Sequence, residues 1–183
     1  MRILHSADIH LDAPFAGRTA REAEYLRREL LAVPGKLAEL CRARACDLVL
    51  LSGDLFDGPY SRESYRALYA AMERMEVPVF VSPGNHDYCG MESPWEREVW
   101  QENVHIFNKE RMEAVTLQAL DCKVYGAGYQ SMDCPGLLEG FQAEGTEKYH
   151  IGILHADPTQ ASSPYCPMTV EQVRRSGDRK SVV

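Results

Sequence analysis

Three short apolar runs, each stopped by a small polar cluster, constrain this chain more than any other feature of its sequence. Arg2–Ala7 (RILHSA) runs into Asp8-Ile9-His10, and Asp47–Ser52 (DLVLLS) into Gly53-Asp54-Leu55-Phe56-Asp57. Val77–Ser82 (VPVFVS) runs into Pro83-Gly84-Asn85-His86-Asp87. Nearly continuous apolar runs of this length read as strands covered on both faces, the environment of a parallel sheet. Between the first two, Thr19 to Ala45 has helical composition interrupted at Pro34-Gly35, so two helices are expected. Between the second and third, Ser61 is an N-cap and Tyr65, Leu68, Tyr69 and Met72 recur at helical spacing, which predicts a helix to Met75. Strand, helix, strand, helix, strand is the order of a layered α/β fold with right-handed crossovers.

Beyond Gly90 the pattern changes. Val104–Phe107, Val115–Leu120, Lys123–Tyr125 and Tyr149–Leu154 are candidate strands, which predicts a second sheet facing the first. Thr169–Ser176 reads as a last helix, capped by Thr169 and closed by Gly177. The 183 residues suffice for a single domain, 1–183. No run of eighteen apolar residues occurs, and the N-terminus turns polar too early for a signal peptide, so the expectation is no membrane and a cytoplasmic location. The six cysteines include no C-x-x-C pair, which argues for reduced, buried thiols over a zinc site or a disulfide framework. The net charge of −7 is the wrong sign for passive attraction of nucleic acid, so any such reading rests on the motifs.

Those motifs lie where chemistry is expected. Ligands of open α/β sheets bind outside the carboxyl ends of the strands, and a fourth cluster, His155-Ala156-Asp157, follows the run at Tyr149–Leu154. Singly, each cluster has an ordinary reading as a cap, a turn or a loop start. Together, Asp8, His10, Asp54, Asn85 and His155 offer carboxylate, imidazole and amide donors without thiolate. That set suits manganese, iron or zinc over a soft metal, and a bridging carboxylate would hold two cations about 3.5–4 Å apart. His5, His105 and His150 lie in or beside candidate strands without a partner motif, and His5 is expected to be a hydrogen-bonded core residue.

D8-x-H10, G53-D54-x-x-D57 and G84-N85-H86-D87 resemble the motifs of the calcineurin-like metallophosphoesterase superfamily. The longer stretches around them are similar to its DNA-repair exonuclease branch, which includes SbcD and the YhaO-like proteins. The resemblance covers residues 1 to about 176. It implies a metallophosphoesterase sandwich of two facing mixed β-sheets flanked by helices. It also implies two divalent ions, manganese above all, with iron, zinc or magnesium as alternatives. Asp8 and His10 would bind the first metal, Asp54 would bridge, and Asn85 and His155 would bind the second. His86 would approach the phosphate and the leaving oxygen, oriented by Asp57, while Asp87 would hold the loop. The implied activity is phosphodiester hydrolysis by a metal-bound hydroxide, with DNA as substrate and DNA-repair exonuclease as the specific function. Alternatives are a phosphoesterase for a small nucleotide and an inactive remnant with an interaction role. Implied partners are a second copy of the chain and an ATPase of the ABC type; no Walker A motif occurs in the chain itself.

The superfamily also supplies a G-H-x-H motif on a strand after the last helix. None occurs here: the sequence reads Ser176-Gly177-Asp178-Arg179-Lys180-Ser181-Val182-Val183. A truncated frame, an unpaired sheet edge and weak or partial metal occupancy are therefore expected.

Overall fold

The computed structural model describes residues 1–177 and 180–182. The first sheet is wholly parallel, with strands β1 (Ile3–Ser6), β2 (Leu48–Leu51), β3 (Val79–Val81) and β4 (Val104–Ile106) in sequential order. Between them run helices α1 (Ala20–Leu31), α2 (Val33–Ala43), α3 (Arg62–Met75) and the short α4 (Pro94–Arg97). The second sheet orders β5 (Glu113–Leu117), β6 (Cys122–Gly126), β7 (Tyr149–Ile153) and β8 (Lys180–Val182). It is mixed: β5 and β6 are antiparallel, while β6, β7 and β8 run parallel. Helix α5 (Val170–Arg175) lies between β7 and β8 in the chain.

Period-two alternation in the first sheet divides the core. Val49, Leu51, Val79 and Val81 pack with Leu68, Met72 and Ala38 of the helices. Leu48, Leu50 and Phe80 point the other way and meet Val124, Ile151 and Ile153 of the second sheet. Covering on both faces explains why these strands read as unbroken apolar runs. The expected layered α/β sandwich of two sheets and helices is thus the observed one, with the mixed pairing confined to the second sheet.

Several local expectations change. The α1–α2 break falls at Ala32, and Pro34 sits in the first turn of α2, where a missing N–H costs nothing. Strand β5 ends at Leu117, and Gln118–Leu120 forms a 3-10 turn. The largest correction concerns the tail. Residues 178, 179 and 183 lie outside the described residues, but Lys180–Val182 forms β8 and pairs with Ile151–Ile153, so the edge of β7 is covered. All six cysteines carry free thiols, five of them buried. Among the described residues no helix is long and apolar enough to cross a membrane.

Candidate metal centre

The loops that leave β1 and β2 stay together beyond the strands. Asp8 N–H donates to Gly53 carbonyl, His10 N–H to Asp54 carbonyl, Leu11 N–H to Leu55 carbonyl and Asp57 N–H to Leu11 carbonyl, all at 2.8–3.1 Å. This irregular continuation of the ladder sets the first two clusters side by side. It also places Asp8, His10, Asp12 and Asp54 at positive φ, from 51° to 69°. Asp tolerates this region better than most residues, yet each such position costs about 1 kcal/mol or more and persists only where its surroundings enforce it.

The third loop is locked onto the second by Asp87. Its buried carboxylate accepts the backbone N–H groups of Asp54, Leu55, Phe56 and Gly84 at 2.8–3.4 Å. Burial pushes its pKa up to about 6, aided by the charge of Asp54 and opposed by the N–H donors. Asp87 therefore holds the loop, as expected. Two glycines make room for the donors. A β-carbon on Gly53 would stand 2.7 Å from the His155 ring, and one on Gly84 would collide with Asp54 Oδ1.

The five expected ligand residues converge on Asp54. Its Oδ1 accepts the His86 N–H at 2.9 Å, which leaves Oδ2 for the imidazoles. Oδ2 lies 3.8 Å from His10 Nε2 and 3.4 Å from His155 Nε2. His10 Nε2 is 4.0 Å from Asp8 Oδ1, and His155 Nε2 is 3.1 Å from Asn85 Oδ1. Donor atoms bound to one cation at about 2.0–2.2 Å stand roughly 3 Å or more apart, so both groupings fit a divalent ion with little movement. Asp8, His10 and Asp54 indeed offer donor atoms within 4.8 Å of one another. The imidazoles are also turned for the task. His155 Nδ1–H donates to Ser52 carbonyl at 3.0 Å, and His10 Nδ1–H to Asp57 Oδ1 at 3.2 Å, so each presents Nε2 to the shared oxygen.

Electrostatics separate the two groupings. Burial works against a charged His155, but the Asp54 carboxylate and the Ser52 carbonyl carry its pKa up to about 9. Burial likewise works to raise Asp54, yet His155 and the His86 N–H hold it below the usual carboxylate range. In this state a proton occupies the place that a cation would take.

His86 stands beside these groups rather than among them. Its Nδ1–H donates to Asp57 Oδ1 at 2.6 Å, the same oxygen that receives His10, and the two imidazoles meet edge to face with centroids 4.9 Å apart. His86 is half-exposed, with Nε2 free of this bond. Every expected site residue is therefore brought to one place. Sequence reading did not find Asp12, which accepts Ser61 N–H at 2.9 Å and the Ser64 hydroxyl, tying the first loop to the start of α3. Asp12 lies two residues beyond His10, and that spacing was its only signal. His150 bonds Tyr125 Oη at 2.9 Å, and His105 packs on Phe80 and Phe107, so both stay outside the site. His5 bonds Ser52 Oγ at 3.0 Å but is exposed at the sheet edge, which corrects its core reading.

Comparison with known proteins agrees with this geometry. Residues 1–176 match the family model described as calcineurin-like phosphoesterase. The chain is 30% identical to the uncharacterized metallophosphoesterase YhaO of Bacillus subtilis, over 97% of this chain and 46% of that protein. It is 40% identical to the SbcD component of the nuclease SbcCD of Rhodobacter capsulatus, over 48% of the chain and 22% of that protein. It is 29% identical to a probable glycerophosphodiester phosphodiesterase, GpdQ, of Arcobacter nitrofigilis, over 50% of the chain and 34% of that protein. The chain thus spans less than half the length of each of these relatives. The motif resemblance to the SbcD and YhaO-like branch agrees with these matches. The family uses a dinuclear metal centre, and the donors gathered around Asp54 have the composition for one. The chain belongs to the calcineurin-like phosphoesterase family.

Proposed function

We propose that this chain is the catalytic domain of a metal-dependent phosphodiester hydrolase acting on DNA, as a DNA-repair exonuclease. The observation that carries the chemistry is the single Asp54 oxygen facing both His10 and His155, with the His86–Asp57 pair beside it. Asp8, His10 and Asp54 would hold one cation; Asp54, Asn85 and His155 would hold the other. The mixed oxygen and nitrogen donors favour manganese, with iron, zinc or magnesium able to substitute. Two such ions, when bound, supply a nucleophile at neutral pH and neutralise charge on the phosphoryl group. With its Nδ1–H given to Asp57, His86 turns Nε2 to the leaving oxygen and can protonate it there when the ring is the imidazolium. Asp57 fixes the orientation of the ring.

The choice of DNA is supported by the relative that is named as the SbcD component of a nuclease. An ATPase of the ABC type and a second copy of the chain are the proposed partners. The similarity to GpdQ favours a second reading, a phosphodiesterase for small substrates. Manganese-loaded chain should degrade single- or double-stranded DNA oligonucleotides from an end as well as hydrolyse bis-p-nitrophenyl phosphate. Turnover of the small ester with DNA left intact would replace the first reading by the second.

A further inference from the structure

Next to the metal centre, on the far side of His86, lies an open cavity of about 890 Å³ that the proposed chemistry leaves unassigned. Its walls include Tyr60, Arg62, Tyr88 and Arg97. The donors Asp8, Asn85 and His155 line a separate recess, so His86 stands where the cavity meets the reacting centre. Both cations of the cavity are already matched. Arg62 bonds Glu98 at 2.9 Å, and Arg97 bonds Glu92. Tyr60 Oη donates to the same Glu98 at 2.7 Å, and the Tyr60 ring is braced edge to face by Phe56. The ring of Tyr88 lies against Gly90, where even a β-carbon would come within 3.3 Å of it, and is 36% exposed. A cavity with paired charges and two aromatic rings suits a flat, neutral ring better than a further phosphate.

We infer that this cavity is a nucleobase subsite: it receives the base of the nucleoside that departs from the scissile phosphate, with Tyr88 as the stacking platform. The inference rests on the phosphodiesterase reading above and adds a preference within the substrate. A ring held there keeps the leaving oxygen next to His86, because His86 lines the same cavity. Base stacking on an aromatic side chain is sequence-tolerant, so the subsite would select for a base without selecting which one.

Two measurements on the full chain test this. Without metal, thymidine monophosphate should bind saturably and perturb the Tyr88 resonances in NMR, whereas ribose 5-phosphate should not. Tyr88→Ala should weaken that binding about tenfold, within the range of one lost stacking contact, and Tyr88→Phe should retain it. With manganese, Tyr88→Ala should lower kcat/KM about tenfold more on a dinucleotide than on its analogue with an abasic leaving residue. Equal binding of the two monophosphates, or an unchanged dinucleotide-to-abasic ratio in a folded Tyr88→Ala variant, would overturn the subsite. Ring-dependent binding with hydrolysis of neither substrate would count against the phosphodiesterase reading and support the subsite.

Discussion

The two groupings around Asp54 share an oxygen but are built differently. Asp8 and His10 come from a loop held by main-chain hydrogen bonds; their donors stand 3.8–4.0 Å from their neighbours, and the Asp8 side chain is 61% exposed. Asn85 and His155 come from different sheets, lie 3.1 Å apart, and are largely buried. One half is open and kept apart by backbone; the other is closed on itself by a proton. A cation should therefore enter the outer half without displacing anything, whereas the inner half must first give up hydrogen.

The contrast can be broken at its shared point. Asp54→Asn should empty both halves, with manganese content falling to background in elemental analysis and hydrolysis lost; retention of either ion would show that the halves do not depend on this oxygen. His86→Asn should leave metal content intact while lowering kcat by about 10²–10⁴-fold on DNA. The loss should be smaller on bis-p-nitrophenyl phosphate, whose leaving group needs no proton. Asp8→Ala and His155→Ala should each weaken binding about 10–100-fold or more in their own half, read as separate steps in a manganese titration. Simultaneous loss of both steps in either variant would mean that the halves fill as one.

The inner half should also be the pH-sensitive one. His155 has its pKa raised from 6.5 to about 9, so its ion pair with Asp54 stabilises the metal-free fold fully below pH 6.5 and loses that contribution as pH rises through about 9. Metal uptake runs the opposite way. One proton must leave per ion, so affinity should climb by about tenfold per pH unit across that window. Calorimetric titrations in buffers of different ionisation enthalpy would reveal the released proton, and a flat profile would refute the assignment. Smallest of all, Asp12→Ala removes an acceptor at the start of α3 and should lower stability by about 1 kcal/mol in urea denaturation, with metal binding largely kept.

How much was legible beforehand follows the same division. Strands β1, β2 and β3 and the clusters after them could be read directly, because each is a local pattern: an apolar run, then a turn carrying the donor. Helix α3 was equally plain, its Ser61–Ser64 capping box written in four residues. The second half was read less well. Strand β8 carries only Lys180, Ser181 and Val182, too little apolar character to signal a strand; it forms by pairing with β7, a long-range contact with no local trace. Likewise the family resemblance implies Asp57 as a partner of His86, but only folding shows the same oxygen serving His10. The Tyr88 cavity was invisible for a similar reason: its walls come from two segments after different strands, and their charges cancel in space.

The ladder that continues past β1 and β2 has a further consequence. Residues 8 to 11 and 53 to 57 form connecting segments by position, yet the amides of Asp8, His10, Leu11 and Asp57 are bonded to main-chain carbonyls, and those of Asp54, Leu55 and Phe56 to Asp87. Their order is established by the fold before any ion arrives, so binding loses little conformational entropy. The segments should exchange their amide hydrogens as slowly as the strands that lead into them, with or without metal. Two adjacent parallel strands and their next few residues carry Asp8, His10, Asp54 and Asp57 in register, anchored between them by Ile9, Leu11, Leu55 and Phe56 in the core.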